Sequence, residues 1–363
     1  MIVERVRVCQ LEFPLLAPYR LSSGDLILFD PIVVEVRDAD GREGWGEALI
    51  VPGYTPESVD DAWKLCCELG ERMAGMDLEA ARRAALEGRH VSAGAASALL
   101  AALDMMTRHP LLSVERDTGV PLLAPCQAHE PAEIEAEVDR LIANGFRTLK
   151  VKVGYRWQDD LERVALIQRA TNGRASLRLD ANRSFSEADG KAFASRLDPR
   201  GIELFEQPCG ADDWPANAAV AGVSTVSVML DESIYGLEDI ERAAGIPGVG
   251  HVKLKLKKIG SVGMLATALQ RIRELGLTPV LGDGVSIEIG CWMEAGVATR
   301  TLSNAGEMNG FLKVRQRLFA NPLEFESGAI VLRRGYWPEI DRKVLAAHTR
   351  AVREFGARPV PVS

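Results

Sequence analysis

The feature that most restricts the fold of this chain is an interval. Five strand-like runs rich in Val, Leu and Ile each close on a charged residue: Lys152 in "LKVKV", Asp180 in "SLRLDAN", Glu206 in "IELFEQP", Asp231 in "VSVMLDES" and Lys255 in "HVKLKLKK". Consecutive members stand 28, 26, 25 and 24 positions apart. Each step is about one strand plus one amphipathic helix, and helical patterns such as "EPAEIEAEVDRLIANG" and "SVGMLATALQRIRELG" lie between the runs. With "LLAPCQAH" ahead of them, "LTPVLGD" behind and a weaker "ATRTLSN" as eighth strand, the rhythm predicts a (β/α)8 TIM-type barrel over residues 119–314. A doubly wound open sheet competes, but it rarely repeats so evenly and usually carries a Gly-rich phosphate loop, which this sequence lacks.

A chain of 363 residues exceeds what one core supports, so a second module is expected. Residues 1–118 supply it as an α+β capping domain. "MIVERVRVCQLEF" and "DPIVVEVRDADGREGWGEAL" alternate with period two, and Ala/Leu-rich helical patterns follow from about residue 56. Residues 315–363 fall outside the repeat and are expected to return to the cap, with "PLEFESGAIVLRRG" as an edge strand and turn. A net charge of -8 argues against a nucleic-acid or anionic-membrane partner. No apolar run is long enough to span a bilayer, and the first residues carry charges where a signal peptide would be apolar. The six cysteines show neither CxxC pairs nor disulfide spacing, which points to reduced thiols in the cytoplasm. A soluble cytoplasmic protein acting on a small molecule is the expectation.

Barrel chemistry sits at the C-terminal ends of the strands. Three successive strands end in Asp180, Glu206 and Asp231, which would repel one another unless a cation lay between them. Oxygen donors suit a hard divalent ion, and Mg2+ is the natural choice. A helix N-cap explains any one of these acids but not three in a row. Lys150 and Lys152 share one face of the second strand, and Lys253, Lys255 and Lys257 share one face of the sixth. Solvated strand faces would account for lysines in such runs, but the inner face of a barrel is not solvated. Strands two and six oppose each other across the mouth, so an amine would flank the metal on each side, and burial lets a lysine act as a base.

The runs "KVKVG", "LDAN", "FEQP", "LDES" and "VKLKLKKIGS" resemble the enolase superfamily, specifically its muconate lactonizing enzyme subgroup, over residues 122–313. The resemblance implies that Asp180, Glu206 and Asp231 bind one Mg2+ and that Lys152 and Lys255 form an acid/base pair. Lys150 would sit beside Lys152, lower its pKa and touch the substrate carboxylate. "KKIGS", set against the family's lysine-x-glycine-glycine ending, favours Lys255 over Lys253 or Lys257. The implied reaction is abstraction of the proton α to a carboxylate to give an enediolate held by Mg2+. Racemisation or epimerisation of an amino-acid derivative or dipeptide is the leading form. A lyase of the same superfamily is the runner-up, by syn dehydration as in o-succinylbenzoate synthase or by cycloisomerisation. A non-catalytic binding barrel is the alternative from another class. A homo-oligomer is also implied.

Some positions depart from the family pattern. "GDGVSIEIGCWMEAG" carries Asp283 and Glu288 where relatives are more apolar or Ser-rich. Glu307-x-Asn309 is an imperfect echo of the Asp-x-Asp that binds a substrate ammonium in dipeptide epimerases, and hints at a cationic or amide-bearing substrate. Asn182 adjoins the first metal-binding acid. Cap loops "LAPYRLSSG" (Tyr19, Arg20, Ser22, Ser23) and "ALIVPGYTPES" (Ile50, Val51, Tyr54) are candidates to close over the substrate.

Overall fold

The computed structural model describes residues 1–21, 24–55 and 57–356. The period-two stretches form strands β1 (Val3–Leu11), β2 (Phe13–Leu21), β3 (Gly24–Phe29), β4 (Ile32–Asp38) and β5 (Glu43–Ala48). β1 pairs with β4 and β4 with β5, all antiparallel, while β2 and β3 form a separate hairpin. Three helices follow, α1 (Val59–Met73), α2 (Leu78–Glu87) and α3 (Ala93–Met106). Ser58, Asp77 and Ser92 cap them by accepting from the backbone N–H of Asp61, Ala80 and Ala95. Helix α3 is buried on every side, which its Ala-rich sequence allows. It presses onto β5 so closely that a Cβ at Gly44 or Gly46 would stand 2.0 Å from the carbonyl oxygen of Ala102 or Ala98. Only glycine fits there.

The barrel begins after β6 (Thr118–Pro121). Its strands are β7 (Ala124–Cys126), β8 (Thr148–Lys152), β9 (Ser176–Asp180), β10 (Ile202–Glu206), β11 (Val228–Leu230), β12 (Val249–Leu254) and β13 (Thr278–Leu281). They pair in parallel in chain order, with helices in the connections. "ATRTLSN" is not the eighth strand: its first residues finish the helix Glu288–Thr301. Closure falls to the next residues instead. Gly306 exchanges hydrogen bonds with Pro121 and Leu123 on the β7 side, and Glu307 N–H donates to Leu281 O of β13 at 2.9 Å. Periodicity could not separate the two segments, because both are short and adjoin a helix end.

β14 (Glu324–Glu326) and β15 (Ala329–Leu332), within "PLEFESGAIVLRRG", do not join the cap. β15 pairs with β6, and the turn between β14 and β15 packs on Gly145, just before β8 begins, at the N-terminal end of the barrel. The chain reaches the cap later, where β16 (Thr349–Gly356) pairs with β1. The cap is tied to the barrel mouth by α3, whose Ser97 hydroxyl lies 2.9 Å from both Leu256 O and Gly260 O. Among the described residues no helix is long and apolar enough to cross a membrane.

Candidate active site

Strand register places the first groups side by side. Lys152 pairs with Asp180 across β8 and β9, and Asp180 with Glu206 across β9 and β10. Residues two apart share a face, so Lys150 and Lys152 both turn inward. Lys150 Nζ lies 2.8 Å from Asp180 Oδ2, 3.0 Å from Glu206 Oε2 and 2.8 Å from Glu307 Oε2. Lys152 Nζ lies 2.6 Å from Asp180 Oδ2 and also donates to Asn182 Oδ1. Asn182 occupies a left-handed turn (φ 43°) after β9, a conformation asparagine tolerates, and its Nδ2 donates to Glu232 Oε1 at 3.2 Å. Beside Lys152 opens a cavity lined by Tyr19, Cys126, Gln127, His129 and Tyr155.

β12 approaches the same acids from the other side. Lys253 Nζ lies 3.0 Å from Glu206 Oε1 and touches the Glu307 carboxylate. Lys255 Nζ lies 2.8 Å from Asp231 Oδ2 and donates to the Tyr54 hydroxyl. The alternation ends there because Leu256–Ile259 is a helical turn. Lys257, expected on the face of Lys253 and Lys255, instead pairs with Asp283 at 2.6 Å and donates to Leu49 O of the cap at 3.0 Å. Lys258 turns inward in its place, 3.1 Å from Asp231 Oδ1. Tyr54 carries the cap into the site. Its hydroxyl donates to Asp231 Oδ1 at 2.9 Å, and Lys255 Nζ stands 4.1 Å from the centre of its ring.

So many buried charges are tolerable only because they are paired. Burial opposes ionisation of Asp180, yet Lys150, Lys152 and Lys253 hold its carboxyl below the usual range. Burial is likewise overcome at Asp231 by Lys255, Lys258 and Lys253, and at Glu307 by Lys150 and Lys253. Glu206 moves the other way: burial, reinforced by the charge of Asp180, raises it despite its two lysines. Burial and the neighbouring Asp231 push Glu232 up to about 7, and its Oε2 has no hydrogen-bond partner among the described residues. Acid repulsion is therefore still felt at this point.

The oxygen donors of Asp180, Glu206 and Asp231 are of the kind a hard divalent ion takes. Lys150 bridges Asp180 and Glu206, and Lys253 lies 3.0 Å from Glu206 and 3.8 Å from Asp231, so one cation can reach each neighbouring pair. With these ammonium groups in between, no three His, Cys, Asp or Glu among the described residues form a ready metal cage. In donor chemistry the set fits Mg2+, provided Lys150 and Lys253 draw back onto Glu307, which both already touch.

The remaining candidates are dispersed. Asp283 is taken by Lys257. Asn309 is engaged by the protein itself, its Nδ2 donating to Leu123 O at 3.0 Å and its Oδ1 accepting from Lys313 at 2.9 Å. Glu288 turns away to accept from the N–H groups of Phe319 and Leu323. Tyr19 lines the cavity. The Arg20 backbone belongs to β2, but its side chain lies outside the described residues, as do Ser22 and Ser23. Two groups were not singled out from the sequence. The signal for Lys258 is the close of its helical turn, Gly260 at φ 122° followed by the N-cap Ser261. Glu47, at the end of β5, offers no such signal. It accepts from Ile287 N–H at 2.7 Å across the cap–barrel seam, and burial pushes it up to about 8.

A family model described as Enolase C-terminal domain-like matches residues 133–336. The chain is 29% identical over 310 residues to an L-Ala-D/L-amino acid epimerase from Populus trichocarpa, covering 79% of this chain and 72% of that protein. It is 31% identical over 330 residues to an o-succinylbenzoate synthase from Geobacillus kaustophilus, covering 81% and 79%. In fold it is similar to a dipeptide epimerase from Cytophaga hutchinsonii whose crystal structure is complexed with Mg and the dipeptide D-Ala-L-Val. That match has a TM-score of 0.87 at 21% identity and covers 98% of this chain and all of the other.

Proposed function

This chain belongs to the enolase superfamily, in the muconate lactonizing enzyme group, and on that premise we propose that it is a Mg2+-dependent racemase or epimerase. It would act on an amino-acid derivative by removing the proton α to the carboxylate. The observation that carries this reading is the pair of amines ending the row of acids: Lys152 at 2.6 Å from Asp180, and Lys255 at 2.8 Å from Asp231. A substrate carboxylate lying over the acids would present one face of its α-carbon to each amine.

Bound at Asp180, Glu206 and Asp231, Mg2+ would supply the positive charge that makes so weak a carbon acid accessible. One lysine, as the neutral amine, takes the α-proton, and the other, as ammonium, returns a proton to the opposite face. For the opposite enantiomer the two exchange roles. Lys150 lies buried between Asp180 and Glu206, on the same strand face as Lys152. Tyr54 anchors Lys255, and the cap around it excludes water from the carbanion.

Incubation of N-acylated amino acids and dipeptides with the Mg2+-loaded protein in D2O should exchange the α-proton, followed by NMR. Lys152→Ala and Lys255→Ala should each lower turnover about 10²–10⁴-fold. Unimpaired turnover in both variants would refute the assignment. The lyase reading is favoured by one observation, the 31% identity to an o-succinylbenzoate synthase. An alkene or lactone product without exchanged starting material would decide for it.

A further inference from the structure

We infer that Lys253 is a specificity residue: by occupying Glu307 it makes the site reject substrates that bring a free ammonium group to the barrel-closing segment. The inference rests on the α-proton chemistry proposed above and narrows its substrates to those with a neutral amide at that position.

Glu307 cannot swing away from the site, because its backbone is part of the barrel closure. Its N–H donates to Leu281 O at 2.9 Å, and Gly282 (φ 123°) approaches so closely that a Cβ there would stand 2.7 Å from the Glu307 nitrogen. Glu307 is 4% exposed, and its carboxylate faces Lys150, at 2.8 and 3.1 Å, and Lys253, which is 2% exposed. The other carboxylates within reach of these two ammonium groups are Asp180, Glu206 and Asp231. Once those three are committed to a divalent ion, Glu307 is the counter-charge left to both lysines. Two cations then share one buried anion. A substrate ammonium would be a third cation at that buried carboxylate, where low exposure leaves the repulsion weakly screened, whereas an amide adds no charge.

Of three nearby polar groups, two are already engaged by the protein and the third stands beside a cation. Asn309 is engaged by Lys313 and Leu123, Asp283 by Lys257, and Glu232 has Arg183 at 3.6 Å. Lys253 is the removable member of the arrangement, since Lys150 holds Glu307 from the opposite strand.

The test uses pairs of ligands that differ only in ammonium against methyl: glycyl-L-leucine and N-propionyl-L-leucine, with the L-alanine and L-phenylalanine counterparts. Binding to the full-length, Mg2+-loaded protein is read by calorimetry, and α-proton exchange in D2O by NMR. The propionyl member of a pair should bind about ten-fold tighter or better, and in Lys253→Met that ratio should fall about ten-fold. Lys253→Gln serves if the Met variant does not fold. Equal or tighter binding of the glycyl members, or an unchanged ratio in a folded variant, would overturn the inference while leaving the α-proton reading intact. Failure of every ligand to bind or exchange would remove that reading, and the inference with it.

Discussion

The lysine-bearing ends of β8 and β12 are close to identical as sequence and unlike as environments. "LKVKV" and "VKLKL" both alternate lysine with an aliphatic residue, and in both strands two lysines turn toward the acids. At β8 the Lys152 side chain keeps 26% of its exposure and borders a cavity. At β12 Lys255 keeps 7% and is covered by Tyr54 from the cap, with the Lys257–Asp283 pair and buried Glu47 and Glu294 behind. The same local pattern thus yields one face reached from the cavity and one sealed by a second domain. What distinguishes them is not the strand but what is packed against its end.

This contrast can be broken or sharpened by experiment. The two ends share the three acids, so removing the metal should silence both faces alike. Chelation should abolish α-proton exchange from either enantiomer, Mg2+ should restore it, and Asp231→Asn should weaken Mg2+ binding by calorimetry at least about 100-fold. Exchange that survives chelation on one face would mean that the ends work independently. The lysines should then separate the faces. Lys152→Ala and Lys255→Ala should each lower turnover about 10²–10⁴-fold, each eliminating exchange from the opposite enantiomer. Loss from the same enantiomer in both variants would contradict a two-face site.

Tyr54→Phe removes a hydroxyl but keeps the ring that covers Lys255. A hydrogen bond to charged partners is worth roughly 1.5–3 kcal/mol. Exchange on the Lys255 face should therefore slow by about ten-fold or more, with little change on the Lys152 face. Equal slowing of both would show that Tyr54 serves the cap as a whole.

A separate effect is read in stability. Burial raises Glu47 from an ordinary value of 4.5 to about 8, so the folded protein holds a proton that the unfolded chain has released. Between those values stability falls as pH rises, by about 1.4 kcal/mol per pH unit for one such group, and levels off above about 8. Glu294, also raised by burial to about 8, adds a slope of the same sign. Urea unfolding of Glu47→Gln between pH 5 and 8 should show a shallower decline than the parent. An unchanged slope would mean that Glu47 is charged in the fold.

The fold was legible where its signal is local. Strand alternation and a step of 24 to 28 residues are properties of neighbouring positions, and they carried the barrel and the placement of Lys152, Asp180, Glu206, Asp231 and Lys255 at strand ends. The errors arose where two local readings compete. "ATRTLSN" is β-branched enough to read as a strand, yet it continues a helix, and Lys257 continues the alternation of β12 until a helical turn interrupts it.

By itself, then, the sequence determined the order and spacing of the central barrel units and the chemical groups that end them, because a single strand or helix sets its own period. Only the tertiary structure decided which charges meet. Glu307 reaches Lys150 across 157 positions, Tyr54 reaches Asp231 across 177, and Glu47 reaches Ile287 across 240. No period extends over such separations. Those contacts exist because barrel closure and cap docking bury the groups together, and a buried charge must find its partner wherever the chain has placed one.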